Sequence, residues 1–168
     1  MTEQEHSHTI AVLVENEFGV LARVAGMFAG RGFNIDALSV APTPDPKVSR
    51  ITLVTRGDDR IIEQILKQLN RLIDVLKVVD LSAEDRVRRE LMLLKIRVPE
   101  GPANLIESIM KKFNGKILDQ EKNLWILEFI QEHTENDQVL ASLNGMEILE
   151  TARSGNIAMQ KGKRVLAP

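Results

Sequence analysis

Cysteine and tyrosine are both absent from these 168 residues, tryptophan occurs once and phenylalanine five times. Without thiols there is no disulfide, no thiolate nucleophile and no thiolate metal site. Neither sign of charge dominates: 22 Lys and Arg face 24 Asp and Glu, for a net charge of −2. That balance lacks the cationic footprint a phosphate backbone requires, which argues against nucleic acid as a partner. No apolar run approaches the ~20 residues of a membrane helix. The opening segment, MTEQEHSHT, lacks the basic and apolar regions of a signal peptide. A cytoplasmic protein without membrane contact is the expectation. Serine–histidine–aspartate sets, phosphate-binding glycine loops and dinucleotide fingerprints are missing too. His6, His8 and His133 show no metal-ligand spacing with acidic residues, and the first two fall in a terminus expected to be disordered. No catalytic residue and no metal site is expected of this chain.

What is present is periodic and apolar. Thr9–Val14 alternates weakly, as a central strand does. Glu15-Asn16-Glu17 breaks it, and Gly19 restarts the chain as a helix with Val20, Leu21, Val24, Met27 and Phe28 on one face. Gly30 and Gly32 are expected to end that helix in left-handed dihedrals. Asn34 then opens a second strand over Ile35–Ala41, and Pro42-Thr43-Pro44-Asp45-Pro46 ends it. A third strand over Arg50–Thr55, a helix opened by Gly57-Asp58-Asp59 and carrying Ile61, Ile62, Ile65, Leu66, Leu69 and Leu72, and a fourth strand over Val75–Leu81 follow. The order β-α-β-β-α-β is the ferredoxin-like split βαβ arrangement.

The order then repeats. Leu91–Val98 is a strand and Pro99-Glu100-Gly101-Pro102 a turn, before a helix over Ala103–Phe113 that Asn114-Gly115 stops. Lys116–Gln120 and Leu124–Ile130 make a hairpin; a helix near Glu135–Leu143 and a strand over Met146–Ala152 complete the set. Trp125 alternates with Leu127 and Phe129 and belongs to a core or an interface. The fold expected is α+β, two ferredoxin-like domains: residues 1–81, a charged linker at 82–89, residues 90–155, and a basic tail at 156–168 with little to pack.

In such a sheet the strand order 4-1-3-2 leaves the second strand at an edge. Here that strand is apolar and guarded by Asp36 alone, which invites symmetric pairing with a second copy. The Glu15–Gly19 loop would then face the partner's second strand, and Asn34 would stand at the seam. Free N–H groups at the start of the first helix suit a small carboxylate. Each residue has a plainer alternative: Asn16 as a helix cap or turn residue, Gly19 as a turn glycine, Asn34 as turn chemistry. Two rival uses of this topology find little support. An acylphosphatase-like hydrolase needs Arg23 at the loop, where the helix is expected to turn it away. An RNA-recognition surface needs aromatics on the central strands, and Thr9–Val14 and Arg50–Thr55 contain none.

Val14–Asp58 (VENEFGVLARVAGMFAGRGFNIDALSVAPTPDPKVSRITLVTRGD), with Gln68–Leu81, Arg89–Ile96 and Glu147–Gly155, carries a resemblance. The first eighty residues resemble an ACT domain, the amino-acid-sensing βαββαβ module. Nearly the whole chain resembles the small, regulatory subunits of acetolactate synthase. Where a typical ACT motif has Asp-x-Pro-Gly before its helix, this chain has Asn16 and Phe18, as that family commonly does. The resemblance implies a non-catalytic subunit that homodimerises through its ACT domains. It implies binding to and activation of a catalytic large subunit, which carries thiamine diphosphate, magnesium and FAD while this chain holds no cofactor. Feedback inhibition by a branched-chain amino acid, valine foremost, in valine, leucine and isoleucine synthesis is the implied role. The implied effector site is Asn16, Gly19, Val20, Leu21, Asn34 and Ile35. An ACT regulator of a different metabolic enzyme is the alternative.

Overall fold

The computed structural model describes residues 6–99 and 103–167, which form two compact units. Residues 100–102, most of the turn expected at Pro99–Pro102, lie outside the described residues, as do the first five.

The first unit runs to Val87 and takes up the chain again from Asn156. It contains β1 (His6–Glu15), α1 (Val20–Ala29), β2 (Ala37–Pro42), β3 (Val48–Gly57), α2 (Asp59–Leu69) and β4 (Val75–Asp80). The strands are antiparallel in the order β2-β3-β1-β4, with β2 at one edge as expected. β1 lies between two neighbours, which is why its weak alternation is buried on both sides. Ile10, Val12 and Val14 join Ile51 and Leu53 of β3 beneath Val20, Val24 and Phe28 of α1 and Ile62, Ile65 and Leu69 of α2. Burying side chains of this size contributes roughly 1.5–3 kcal/mol each, which is what drives α1 and α2 onto the sheet. α2 starts where Asp58 accepts from the Ile61 amide at 2.8 Å, an N-cap.

Three expectations need correction here. β1 begins at His6, so His6 and His8 stand in a strand; His8 is partly buried, its Nδ1 3.4 Å from Asp80. Gly30 keeps right-handed dihedrals (φ −66°), and the left-handed residue that ends α1 is Gly32 at φ +71°. The C-terminal tail packs. Residues Ile157–Gln160 form a strand, β9, and Ala158 is buried with Ala11 and Leu81 on the sheet face opposite α1 and α2. Arg50 donates to the Ala158 carbonyl at 2.5 Å, and Lys161 and Arg164 pair with Asp85 and Glu84. A four-residue strand, Ile157-Ala158-Met159-Gln160, is too short to give a periodic signal, and a distant sheet supplied the surface.

The second unit, Arg88–Gly155, carries most of β5 (Arg86–Arg97), then α3 (Ala103–Lys112), β6 (Lys116–Glu121), β7 (Leu124–Gln131), α4 (His133–Ser142) and β8 (Glu147–Arg153). β5 starts inside the expected linker, because alternation of charged residues is also how a strand with one wet face looks. The order β6-β7-β5-β8 repeats that of the first unit. Met92, Leu94 and Ile96 face Trp125, Leu127 and Phe129 across the β5–β7 ladder, so Trp125 is a core residue. The hairpin turns through Lys122 at φ +51°. Gly115 is a steric requirement: a Cβ there would lie 2.5 Å from the Phe129 ring. Glu90, 2% exposed, is the buried charge among the described residues of this unit. Arg153 donates to it at 2.6 Å and Asn136 at 3.0 Å, with His133 alongside. Burial pushes the Glu90 carboxyl up, but the hydrogen bonds from Arg153 and Asn136 outweigh it and hold the group below the usual range. Among the described residues no helix is long and apolar enough to cross a membrane.

Candidate functional site

The loop between β1 and α1 is tied down residue by residue. The Asn16 amide donates to the Lys47 carbonyl at 2.7 Å, its Nδ2 to the Pro46 carbonyl at 2.9 Å, and its Oδ1 accepts from the Ser49 hydroxyl at 2.9 Å. Asn16 therefore buttresses the loop against the β2–β3 connection; it does not cap α1. The N-cap is Gly19, at φ +81° and without a side-chain cap bond. That dihedral favours glycine, and it starts α1 abruptly after a fully exposed Phe18.

The first turn of α1 is open. Arg23 N–H makes the first regular bond, to the Gly19 carbonyl at 2.9 Å, and Val20 reaches Glu17 only at 3.4 Å. Leu21 and Ala22 N–H find no acceptor among the described residues. No acidic side chain occupies this turn. Val20 is buried and Leu21 exposed, so the amides sit between an apolar floor and a free apolar rim. Unsatisfied amides at the positive end of a helix are the chemistry that receives a carboxylate.

Arg23 stands closer to this loop than the helical turn count implied. A Cβ on Gly19 would meet its Nη1 at 3.0 Å. Its guanidinium does not project as a free cation, because Nε and Nη2 grip Asp74 in a bidentate pair at 2.6 and 2.9 Å. Asp74 also receives the Glu15 amide on its carbonyl at 2.9 Å. The hydrogen bond from Arg23 holds the Asp74 carboxyl below the usual range. The pair thus staples the loop to the turn before β4. A basic residue one turn after a glycine was the only trace of this staple in the sequence.

Asn34 is held by different means. Gly32 reverses the chain and Phe33 N–H bonds the Phe28 carbonyl at 3.0 Å, its ring packing edge-on to Phe28 with centroids 6.3 Å apart. The Asn34 carbonyl accepts from Thr55 Oγ1 at 2.6 Å, and its Nδ2 donates to Asp36 Oδ1 at 2.7 Å. Ile35 is partly buried against the core. Asn34, Asp36, Arg56, Gly32, Phe33 and Ile61 line an open cavity of about 460 Å³, within the ~300–1,000 Å³ range of small-molecule sites.

The six sequence-predicted residues therefore form two groups. Asn16, Gly19, Val20 and Leu21 stand beside Ser49, at the start of β3, while Asn34 and Ile35 stand by Thr55 near its end. Six residues of strand span about 20 Å, so one chain does not bring the groups together. Among the described residues no group of three or more His, Cys, Asp or Glu is placed to hold a metal.

Residues 10–77 match the model of the acetolactate synthase (AHAS) small subunit-like ACT domain, and residues 89–162 that of the small subunit of acetolactate synthase. The chain is 40% identical over 158 residues to the acetolactate synthase isozyme 3 small subunit of Salmonella typhimurium, covering 94% of this chain and 97% of that one. It is 42% identical over 168 residues to a probable acetolactate synthase small subunit of Methanothermobacter thermautotrophicus, covering 99% and 100%. The crystal structure of the acetolactate synthase small subunit from Thermotoga maritima superposes with a TM-score of 0.86 at 35% identity, over 95% of this chain and 99% of that one.

Proposed function

The chain belongs to the acetolactate synthase small-subunit family, and from that premise we propose that it docks on the catalytic large subunit, raises its activity and makes it answer to a branched-chain amino acid. Thiamine diphosphate, magnesium and FAD are assigned to that catalytic partner, which condenses pyruvate with a second 2-oxo acid and releases carbon dioxide. Valine is the first candidate effector. Its binding site is the seam of an ACT homodimer, built from Asn16, Gly19, Val20 and Leu21 of one chain and Asn34 and Ile35 of the other.

The observation that supports this reading is the separation just described. β2 is an exposed edge strand running antiparallel to β3, so Pro42 lies at the Asn16 end of the sheet and Ala37 at the Asn34 end. If β2 pairs antiparallel with its own copy, the partner's Ala37 end comes beside this chain's Pro42 end. The partner's Asn34 then approaches the Asn16–Leu21 loop, and each dimer has two such places. The effector carboxylate meets the open amides of α1, and the ammonium finds acceptors across the seam. A ligand held by two chains favours one subunit arrangement over another, which is the thermodynamic content of regulation. One methylene changes affinity in a small apolar pocket by ~1–3 kcal/mol, so valine and leucine are weakly separated.

Reconstitution with the catalytic large subunit tests the proposal. Activity should rise when this chain is added and fall again with valine. A complex whose activity ignores all three branched-chain amino acids would refute the effector assignment.

A further inference from the structure

We propose that Asp36, together with Asn34, forms the ammonium-binding half of the effector site and so makes the site select α-amino acids over the corresponding acids without nitrogen. The inference rests on the effector reading above and adds a residue that reading did not contain.

Asp36 precedes β2, which begins at Ala37, and its amide donates to the Val54 carbonyl at 2.8 Å. Its carboxylate is fixed from two sides. Asn34 Nδ2 donates to Oδ1 at 2.7 Å and Arg56 Nε to Oδ2 at 2.7 Å. An ionised carboxylate offers about four acceptor positions, so these two bonds leave about half of them unused. The Asn34–Asp36 bond also settles which way the Asn34 amide points. With Nδ2 turned to Asp36, Oδ1 is left as an acceptor that no donor among the described residues engages. Asn34 Oδ1 and the two Asp36 oxygens thus form a positioned group of acceptors, and both residues line the 460 Å³ cavity. A primary ammonium carries three donors and no acceptor, and this group suits it. Phe33 and Ile61 supply apolar surface on the same lining. Charge-assisted bonds of this kind are the strong ones.

An anchored carboxylate costs the ligand little ordering, since Asn34 and Arg56 already hold it in place. Arg56 is 68% exposed along its side chain and supports the carboxylate from outside. It is the solvent-screened one of the two contacts, and Asn34 keeps the carboxylate in place without it.

Calorimetric titration of the 168-residue chain with valine and with 3-methylbutanoate, the same skeleton without its amino group, tests the inference. Two variants separate binding from scaffolding: Asp36→Asn removes the charge, while Arg56→Gln breaks the same ion pair but keeps the carboxylate. The expected result is that Asp36→Asn weakens valine binding about tenfold or more, whereas Arg56→Gln stays within about threefold. 3-Methylbutanoate should bind wild type at least about tenfold more weakly than valine does, and the two variants no differently from wild type; equal binding of the two ligands by wild type also overturns the proposal. Valine binding by Asp36→Asn at wild-type strength overturns the proposal. So does an equal loss in both variants, which marks the pair as a scaffold only. A wild-type chain that binds no branched-chain amino acid overturns the effector reading itself.

Discussion

Gly19→Asp separates a charge effect from a packing effect at the start of α1. Glycine occupies φ +81° there, and an L-residue in that region costs roughly 1–2 kcal/mol, with Asp among the better tolerated. The added Cβ meets Arg23 Nη1 at 3.0 Å, the end of a flexible side chain that can yield by a few tenths of an ångström. A cost of about 1 kcal/mol lowers the melting midpoint of a domain of this size by about 4–8 °C, so the variant should still fold. The effector suffers far more. The new carboxylate occupies the same open amides and stands roughly 4 Å from the ligand's own, where two like charges near a protein surface repel by about 4 kcal/mol. That is close to a thousandfold in affinity. Gly19→Ala brings the same dihedral strain without the charge, and its valine response should weaken less than tenfold. The assay is inhibition of the reconstituted complex across a valine titration, with thermal melts of both variants beside it. Undiminished inhibition of the Gly19→Asp complex would refute the placement of the carboxylate at this turn. Equal losses in the two variants would refute the electrostatic account.

Val40→Pro probes the seam. Thr43 N–H bonds the Val48 carbonyl, so the N–H groups of residues 41, 39 and 37 point at β3 and those of 40 and 38 point outward. A proline at 40 spares the β3 ladder and blocks a partner strand, so light scattering should find a monomer; an intact dimer would place the interface elsewhere. Asp74→Asn addresses acid stability. The Asp74 carboxyl is held low by Arg23, so its stabilisation is complete above the unfolded value of about 3.9 and disappears as pH falls through the lower folded value. The variant should be less stable at neutral pH and lose less of its urea midpoint between pH 5 and 2.5; parallel curves would show that the pair carries no linkage. Arg153→Met strands the buried Glu90 carboxylate and should destabilise the second unit by about 3–5 kcal/mol in denaturant titrations. Adding Glu90→Met should recover part of that loss, and a single variant as stable as wild type would mean that solvent already reaches the carboxylate.

The order of elements was legible because periodicity is a local property. Alternation in Thr9–Val14 and three-and-four spacing in Val20–Phe28 follow from which side chains one strand or one helix must bury. The repeat of that order in the second half was equally visible. Four features were not. β9 is too short to announce itself, and the apolar floor of Ala11 and Leu81 that Ala158 packs against comes from the far end of the chain. The start of β5, ahead of Leu91, hid inside a charged stretch. The staple from Arg23 to Asp74 joins residues 51 positions apart, and the grip of Asn16 on Pro46 and Ser49 joins residues 30 and 33 apart. Spacing along the chain carries no record of such pairs.

Taken alone, then, the string of residues determined two βαββαβ units, the family, and which short polar segments were free to meet a ligand. Tertiary structure decided what those segments do. It made Asn16 a buttress instead of a cap, turned the Asn34 amide by means of Asp36, and set the two halves of the candidate site at opposite ends of β3. The physical reason is that secondary structure is dictated by neighbours within a few residues. The direction of a hydrogen bond, and the distance between two loops, depend on a register that exists only once the sheet has formed.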